Sequence, residues 1–368
     1  MPEAKPDNRL VSRRGLLGGT AAAAAALSAP VAAQGDASIE WKMVTSWPKN
    51  LPGPGVTAQR IADQVGKMSG GRFRIRLYAA GELVPALGVF DAVSAGTAQM
   101  AHTASFFWQG KVPASVFFTA APFGLLPNEH ISWIEQGGGQ ELWDKLYAPF
   151  GIKPVMAGNT GVQMGGWYKK KLSGLEDLKG LKIRMPGLGG EVMRRLGATP
   201  VSLPPGELFQ ALQTGVLDAT EFLGPWSDRS MGFQKAASFY YTPGFHEPNG
   251  TGEALFNETA LNGLPEDLRT ILLEACRAEN GRALAESDWQ NATSLQILQE
   301  KDGVEVVPYP DEIISALRTE TKSVLEAFAD SDPVSREIYE SHAAARDRMA
   351  PWSDVAMRRF LAARDGSV

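Results

Sequence analysis

Four polar residues stand among glycine, proline and aromatic residues. Gln163 lies in Gly158-Asn159-Thr160-Gly161-Val162-Gln163-Met164-Gly165-Gly166-Trp167, and Glu247 in Pro243-Gly244-Phe245-His246-Glu247-Pro248. Arg184 closes a strand-like run before Met185-Pro186-Gly187, and Glu221 closes another before Phe222-Leu223-Gly224-Pro225-Trp226. An arginine at a strand mouth suits bidentate recognition of a carboxylate, because its planar fork of N–H donors matches two oxygens. Two carboxylates and an amide oxygen in irregular backbone form a hard, all-oxygen set of the kind that holds sodium or calcium. On residue types alone, the same arginine also suits a structural ion pair, and the two glutamates a solvated or paired role.

Patterns for covalent or phosphate chemistry are missing. Gly187-Leu188-Gly189-Gly190 follows a strand-like run and opens a helical one, but the third glycine of a dinucleotide fingerprint falls on Val192, and no lysine-serine pair follows. The run therefore reads as a turn beside a helix N-terminus. No Gly-x-Ser-x-Gly elbow occurs. His246-Glu247 is followed by proline, which excludes the helical zinc motif, and the four histidines show no metal-ligand spacing. Cys276 is the one cysteine, so no internal disulfide forms, and its place on the apolar side of a long helix makes it a core residue. Lys+Arg 36 against Asp+Glu 41 leaves a formal charge of -5, which argues against a nucleic-acid partner.

The elements that must position these residues follow an α/β pattern over 368 residues. Residues 1–33 are an address: Ser12-Arg13-Arg14-Gly15-Leu16-Leu17, an alanine-rich apolar run from Gly18 to Leu27, then Val31-Ala32-Ala33. Charge, a short apolar stretch and small residues make an export signal of twin-arginine type, too short for a permanent bilayer span. It predicts a protein released into a bacterial periplasm. Beyond it, 41–47 reads as a strand, 58–69 as a helix stopped by Gly70-Gly71, and 72–78 as a half-buried strand. An internal echo follows. Arg74–Ala79 resembles Lys182–Gly187 in character, and Phe90–Gly96 with the strand after it resembles Phe209–Gly215 with its own. The echo predicts two lobes built alike, with a crevice between them suited to a small ligand. A helix from Pro265 to about Lys301 and amphipathic helices after it complete the chain.

The run Thr160–Trp167, the segment Leu181–Gly190, Asp218–Glu221 with Gly224-Pro225, Ala80–Pro85, Gly137–Trp143 and Pro243–Pro248 carry a resemblance over the mature chain. It resembles the solute-binding subunit of tripartite ATP-independent periplasmic (TRAP) transporters, most of all the subgroup that binds 2-oxo or 2-hydroxy monocarboxylates with a metal cation. The resemblance implies a two-lobed periplasmic binding protein fold with hinge strands, a long lobe-spanning helix and extra C-terminal helices. Its division is 1–33 signal, 39–160 first part of lobe I, 161–252 lobe II, 253–310 return to lobe I with the spanning helix, and 311–368 C-terminal helices that form a homodimer.

The resemblance also implies that Arg184 grips the substrate carboxylate. Gln163, Glu221, Glu247 and the backbone carbonyl of Phe222 would hold the cation, with the ligand's own oxygens completing the shell. The implied partners are a small carboxylate and membrane permease subunits, and the implied activity is binding without catalysis. A sensor handing its ligand state to a signalling partner is the second reading, and an exported hydrolase the third. Three departures from the family pattern are visible: Phe107 stands where relatives often carry tyrosine beside the ligand, Phe222 and Phe245 where they carry tryptophan, and Trp226-Ser227 where they carry tyrosine-asparagine. These walls predict a 2-oxo acid bulkier or more apolar than pyruvate.

Overall fold

The computed structural model describes residues 38–367 together with Pro2; the export signal read at 1–33 lies, Pro2 apart, outside the described residues. Eleven strands are described: β1 (Ile39–Thr45), β2 (Phe73–Tyr78), β3 (Met100–Thr103), β4 (Ile152–Asn159), β5 (Gly166–Tyr168), β6 (Lys182–Arg184), β7 (Thr199–Val201), β8 (Ala219–Thr220), β9 (Phe239–Thr242), β10 (Thr251–Asn257) and β11 (Glu305–Pro308). They form two sheets, ordered β2-β1-β3-β10-β4 and β11-β9-β5-β8-β6-β7. In β2 the alternation is plain: Phe73 and Ile75 face the core while Arg74 and Arg76 face solvent. The helix Pro54–Met68 after β1 ends at Gly70 and Gly71, both at positive φ, which glycine adopts without steric cost.

The two sheets repeat one arrangement. Three mutually parallel strands run in the order β2-β1-β3 in the first sheet and β7-β6-β8 in the second. By position, β1 corresponds to β6, β2 to β7 and β3 to β8. The sequence echo set β2 against β6, one unit out of step. Alternating basic and apolar residues mark any half-buried strand, so that half of the echo carried no register. The helix–glycine–strand half did: Val89–Ser94, Gly96 and β3 match Leu208–Thr214, Gly215 and β8, with both glycines at positive φ.

The chain crosses from one sheet to the other at 160–165, between β4 and β5, and at 243–250, between β9 and β10. A third passage is the helix Glu266–Glu300, whose 35 residues span about 52 Å at the usual rise. It packs on β4 and the helix Pro54–Met68 at one end, and on the helix Pro225–Met231 of the second sheet's half. It then delivers β11 alongside β9. Residues 305–308 thus belong to the second sheet, whereas the sequence division returned 253–310 to the first lobe. A four-residue strand after a helix of this length can land on either side, and only its parallel pairing with Phe239–Thr242 decides. Cys276 is buried in the core, as read. No described helix is long and apolar enough to cross a membrane.

The aromatic centre of the first half stacks Phe118 between Trp133 and Trp143, at centroid distances of 5.4 and 4.9 Å. Nearby, the buried Glu253 of β10 accepts hydrogen bonds from Trp108 Nε1 (2.7 Å) and the Tyr147 hydroxyl (3.2 Å), and burial pushes its carboxyl up to about 8. A carboxyl whose folded pKa is raised favours folding below its unfolded pKa, and that contribution is lost as pH rises through the folded value. Relative to wild type, Glu253→Gln is therefore expected to gain stability between pH 5 and 8.5, on the order of 4 kcal/mol. Urea unfolding of both proteins across this range checks it; a constant difference between them would refute it.

Candidate functional site

β6 and β8 are parallel neighbours, with Arg184 opposite Thr220, so their C-terminal ends open on the same edge of the second sheet. Ligands of open α/β sheets bind at this edge. Arg184 is the last residue of β6, and Glu221 follows β8 directly. The two crossings supply the rest: Gln163 lies on 160–165, and His246 and Glu247 on 243–250. All five side chains are buried, none more than 5% exposed.

Their hydrogen bonds form two groups, Arg184–Glu221–His246 and Gln163–Glu247, which meet at the adjacent residues His246 and Glu247. Arg184 Nη1 donates to Glu221 Oε1 at 2.5 Å and to the Glu221 carbonyl at 3.1 Å, while its Nε donates to the Leu203 carbonyl at 3.3 Å. The other carboxylate oxygen of Glu221 lies 3.1 Å from His246 Nε2. Gln163 Nε2 donates to Glu247 Oε2 at 2.8 Å and to Thr160 Oγ1 at 3.0 Å, and the Gln163 N–H donates to the Glu247 carbonyl at 3.3 Å. Gln163 Oε1 and His246 Nδ1 are buried without a partner among the described residues. Ligand atoms of Glu221, His246 and Glu247 all lie within 4.8 Å of one another. Burial, then the neighbouring Glu221, holds the Glu247 carboxyl well above the usual range, with Arg184 and Gln163 pulling the other way.

A pocket opens on these residues. Arg184, Gln163, Glu247, Phe107 and Phe222 line it, with Trp47, Thr57 and Ala104. Glu221 is off the wall, bonded to Arg184. The Arg184 guanidinium lies 5.9 Å from the Phe222 ring centre, and Phe107 packs 6.0 Å from Trp47. Phe245 and Trp226 are not among the lining residues. Phe245 turns instead onto Phe123 (5.7 Å) and Tyr309 (6.2 Å), so its exchange for tryptophan does not set the pocket's size.

His246 is the residue the sequence reading passed over. The sequence sets it only beside a helical zinc pattern, which the following proline excludes. The signal that would have found it is its place beside Glu247 on one crossing. Gly187–Gly190 also gains a reason here. A Cβ on Gly189 would lie 2.5 Å from His246 Cβ, and one on Gly190 would lie 2.2 Å from the Met185 carbonyl. Gly189 lets the helix Gly187–Arg195 pack closely on the crossing, and Gly190 lets its first turn close on Met185.

Two carboxylates, one of them opposed by a single arginine, and an unpaired amide oxygen suit a cation and an anion bound side by side. Residues 44–332 match the family described as bacterial extracellular solute-binding protein, family 7. The chain belongs to this family. The family-7 protein is thus a binding protein of the TRAP solute receptor type, not an enzyme.

It is 43% identical over 318 residues to the monocarboxylate 2-oxoacid-binding periplasmic protein of Nostoc sp. (strain PCC 7120), covering 86% of this chain and 87% of that one. A TRAP transporter solute binding protein from Bordetella bronchiseptica RB50 superposes with a TM-score of 0.87 at 34% identity, covering 90% of this chain and 98% of that one. That structure is a mixed-occupancy dimer, one active site holding copurified calcium and picolinate, the other apo. A third relative, from Pseudoalteromonas atlantica T6c, has a TM-score of 0.86 at 38% identity, covers 88% of this chain and 98% of that one, and holds sodium and pyruvate.

The tightest glycine in the site gives a direct probe. A Cβ on Gly250 would stand 1.9 Å from Thr160 Oγ1 and 2.5 Å from Gln163 Nε2. Gly250→Ala must displace the Thr160 hydroxyl and the Gln163 amide bonded to it, and we expect ligand affinity to fall about tenfold, as for disturbed supporting contacts of a binding group. Calorimetric titration beside a thermal melt checks this; unchanged affinity would show that the Gln163 amide does not matter to binding.

Proposed function

We propose that the family-7 protein captures a 2-oxo monocarboxylate together with a sodium or calcium ion and delivers it to the membrane permease of a TRAP transporter. Arg184 takes the substrate carboxylate. Gln163, Glu221, Glu247 and the Phe222 carbonyl hold the cation. The observation that carries the reading is Gln163 Oε1, buried and unpartnered beside Glu247, where an oxygen-seeking ion supplies the missing contact. The bound cation supplies the positive charge that offsets the paired carboxylates and a centre for the ligand's carboxylate and 2-oxo oxygens. Phe107 and Phe222 exclude water and receive the apolar side chain, which favours a substrate larger than pyruvate.

The two sheets are the floors of two lobes that close on the ligand, with 160–165 and 243–250 as the hinges between them. Closure follows from tighter binding to the closed state than to the open one. Residues 1–33 direct the chain to the periplasm by the twin-arginine route. The C-terminal helices form a homodimer: Trp352, Val355, Phe360 and Leu361 are large apolar residues left exposed near the end of the chain, and the Bordetella relative is a dimer.

Calorimetric titration of the mature protein with 2-oxo and 2-hydroxy acids of increasing size, with sodium varied and with chelator, tests the reading. One-to-one binding that requires a cation is the expected outcome, with branched or aromatic 2-oxo acids tighter than pyruvate. Tighter binding of pyruvate would remove the large-substrate assignment, and no binding across the panel would remove the carboxylate–cation clamp.

A further inference from the structure

Asp228 is fully buried in the helix Pro225–Met231 and does not line the pocket. Its Oδ1 accepts the Leu223 N–H at 3.0 Å. Its Oδ2 accepts Trp167 Nε1–H at 2.9 Å and the Tyr240 hydroxyl at 2.7 Å. Three donors from a loop and two strands thus meet on one carboxylate. The Leu223 N–H belongs to the same peptide unit as the Phe222 carbonyl. In a planar trans peptide these two groups point in opposite directions, so an acceptor that fixes the N–H fixes the carbonyl as well. Among the described residues no hydrogen bond reaches the Phe222 carbonyl, although Phe222 lines the pocket. The next carbonyl, of Leu223, accepts the Met164 N–H at 3.1 Å, which ties the same loop to the crossing that carries Gln163.

We propose that Asp228 is a positioning residue for the cation site, aiming the Phe222 carbonyl at the pocket by holding the Leu223 N–H from behind. The inference rests on the reading of Phe222 as a cation ligand. Asparagine at 228 would turn an NH₂ toward at least one of the three donors and would weaken the charge-assisted bonds that the others make. An asparagine that presents its NH₂ to the Leu223 N–H leaves this peptide free to rotate, and the cation would lose an oxygen without any residue of the pocket having changed.

The sequence offers a clean readout. Phenylalanine precedes leucine only at Phe222-Leu223 and Phe360-Leu361. Protein labelled with carbonyl-13C phenylalanine and 15N leucine therefore gives two cross-peaks in an HNCO spectrum of the mature chain. Calcium and sodium are titrated into wild type, Asp228→Asn and Tyr240→Phe. The last variant keeps the bond from Leu223 to Oδ1 while removing another donor to the same carboxylate. In wild type the Phe222 carbonyl peak is expected to move with cation and the Phe360 peak to stay. Asp228→Asn should bind cation about tenfold more weakly, with a smaller carbonyl shift at saturation. Tyr240→Phe should lose stability and keep wild-type cation affinity.

Wild-type affinity in Asp228→Asn, or an equal loss in Tyr240→Phe, would overturn the assignment. If Asp228→Asn does not fold, the wild-type spectrum still decides: a Phe222 carbonyl that ignores bound cation leaves Asp228 nothing to aim. Carboxylate binding by wild type without any cation would instead show, before a variant is made, that the underlying reading has failed.

Discussion

Arg184→Ala is expected to weaken carboxylate binding about a thousandfold, in line with truncating one partner of a buried, hydrogen-bonded charge pair. Among the described residues Arg184 is the one cationic group on the pocket wall, and burial leaves water unable to replace it. Its removal also leaves Glu221 without its 2.5 Å partner in a site that already contains Glu247. Stability should therefore fall by about 3–5 kcal/mol, the usual cost of stranding a buried charge. Arg184→Lys separates the two effects. Lysine restores the charge but not the fork that spans Glu221 and a ligand together, so stability should largely return while affinity remains reduced. Titration calorimetry gives the affinities, and urea unfolding gives the stabilities. An Arg184→Ala protein that folds and binds the carboxylate like wild type would remove Arg184 from the site.

What the sequence disclosed of this site was residue type and local setting. Arg184 and Glu221 announced themselves as polar residues ending strands before proline- and glycine-rich turns, and that is where β6 and β8 stop. Gln163 and Glu247 stood in glycine- and proline-rich stretches, which became the two crossings between sheets. Contacts between distant segments were a different matter. Nothing local in His246 points to Glu221, because the approach depends on where the β9–β10 crossing lands. The same holds for β11, whose sheet is chosen by a partner strand more than sixty residues earlier. The misaligned half of the internal echo has a related cause: alternation defines a face of a strand, not its rank in a sheet. Phe245 shows the limit for walls. Its neighbours in sequence line the site, yet its ring turns the other way onto Phe123 and Tyr309.

Cation binding should release a proton at pH values below the raised pKa of Glu247, and Glu247 is its source. Its carboxyl is held well above the usual range by burial and by Glu221, so the folded site binds a proton that the unfolded chain has already lost. A cation held by this carboxylate must expel that proton. Below the raised pKa, each unit of falling pH then costs about tenfold in cation affinity for one proton displaced. Without cation the sign is opposite for the fold: a raised carboxyl pKa means stability that is greatest at low pH and lost as pH rises through the folded value. The cation-induced rise in Tm should therefore grow with pH, as the burden of the unprotonated pair is offset. Calorimetry in two buffers of different ionisation enthalpy reads the proton directly, and melts at pH 5 and pH 8 with and without calcium read the stability. Glu247→Gln should raise the cation-free Tm at pH 8 and abolish proton release. It should also weaken cation binding by at least about a hundredfold, since a ligand matters more than the groups that merely support one. Proton release that persists in Glu247→Gln would place the titrating group elsewhere.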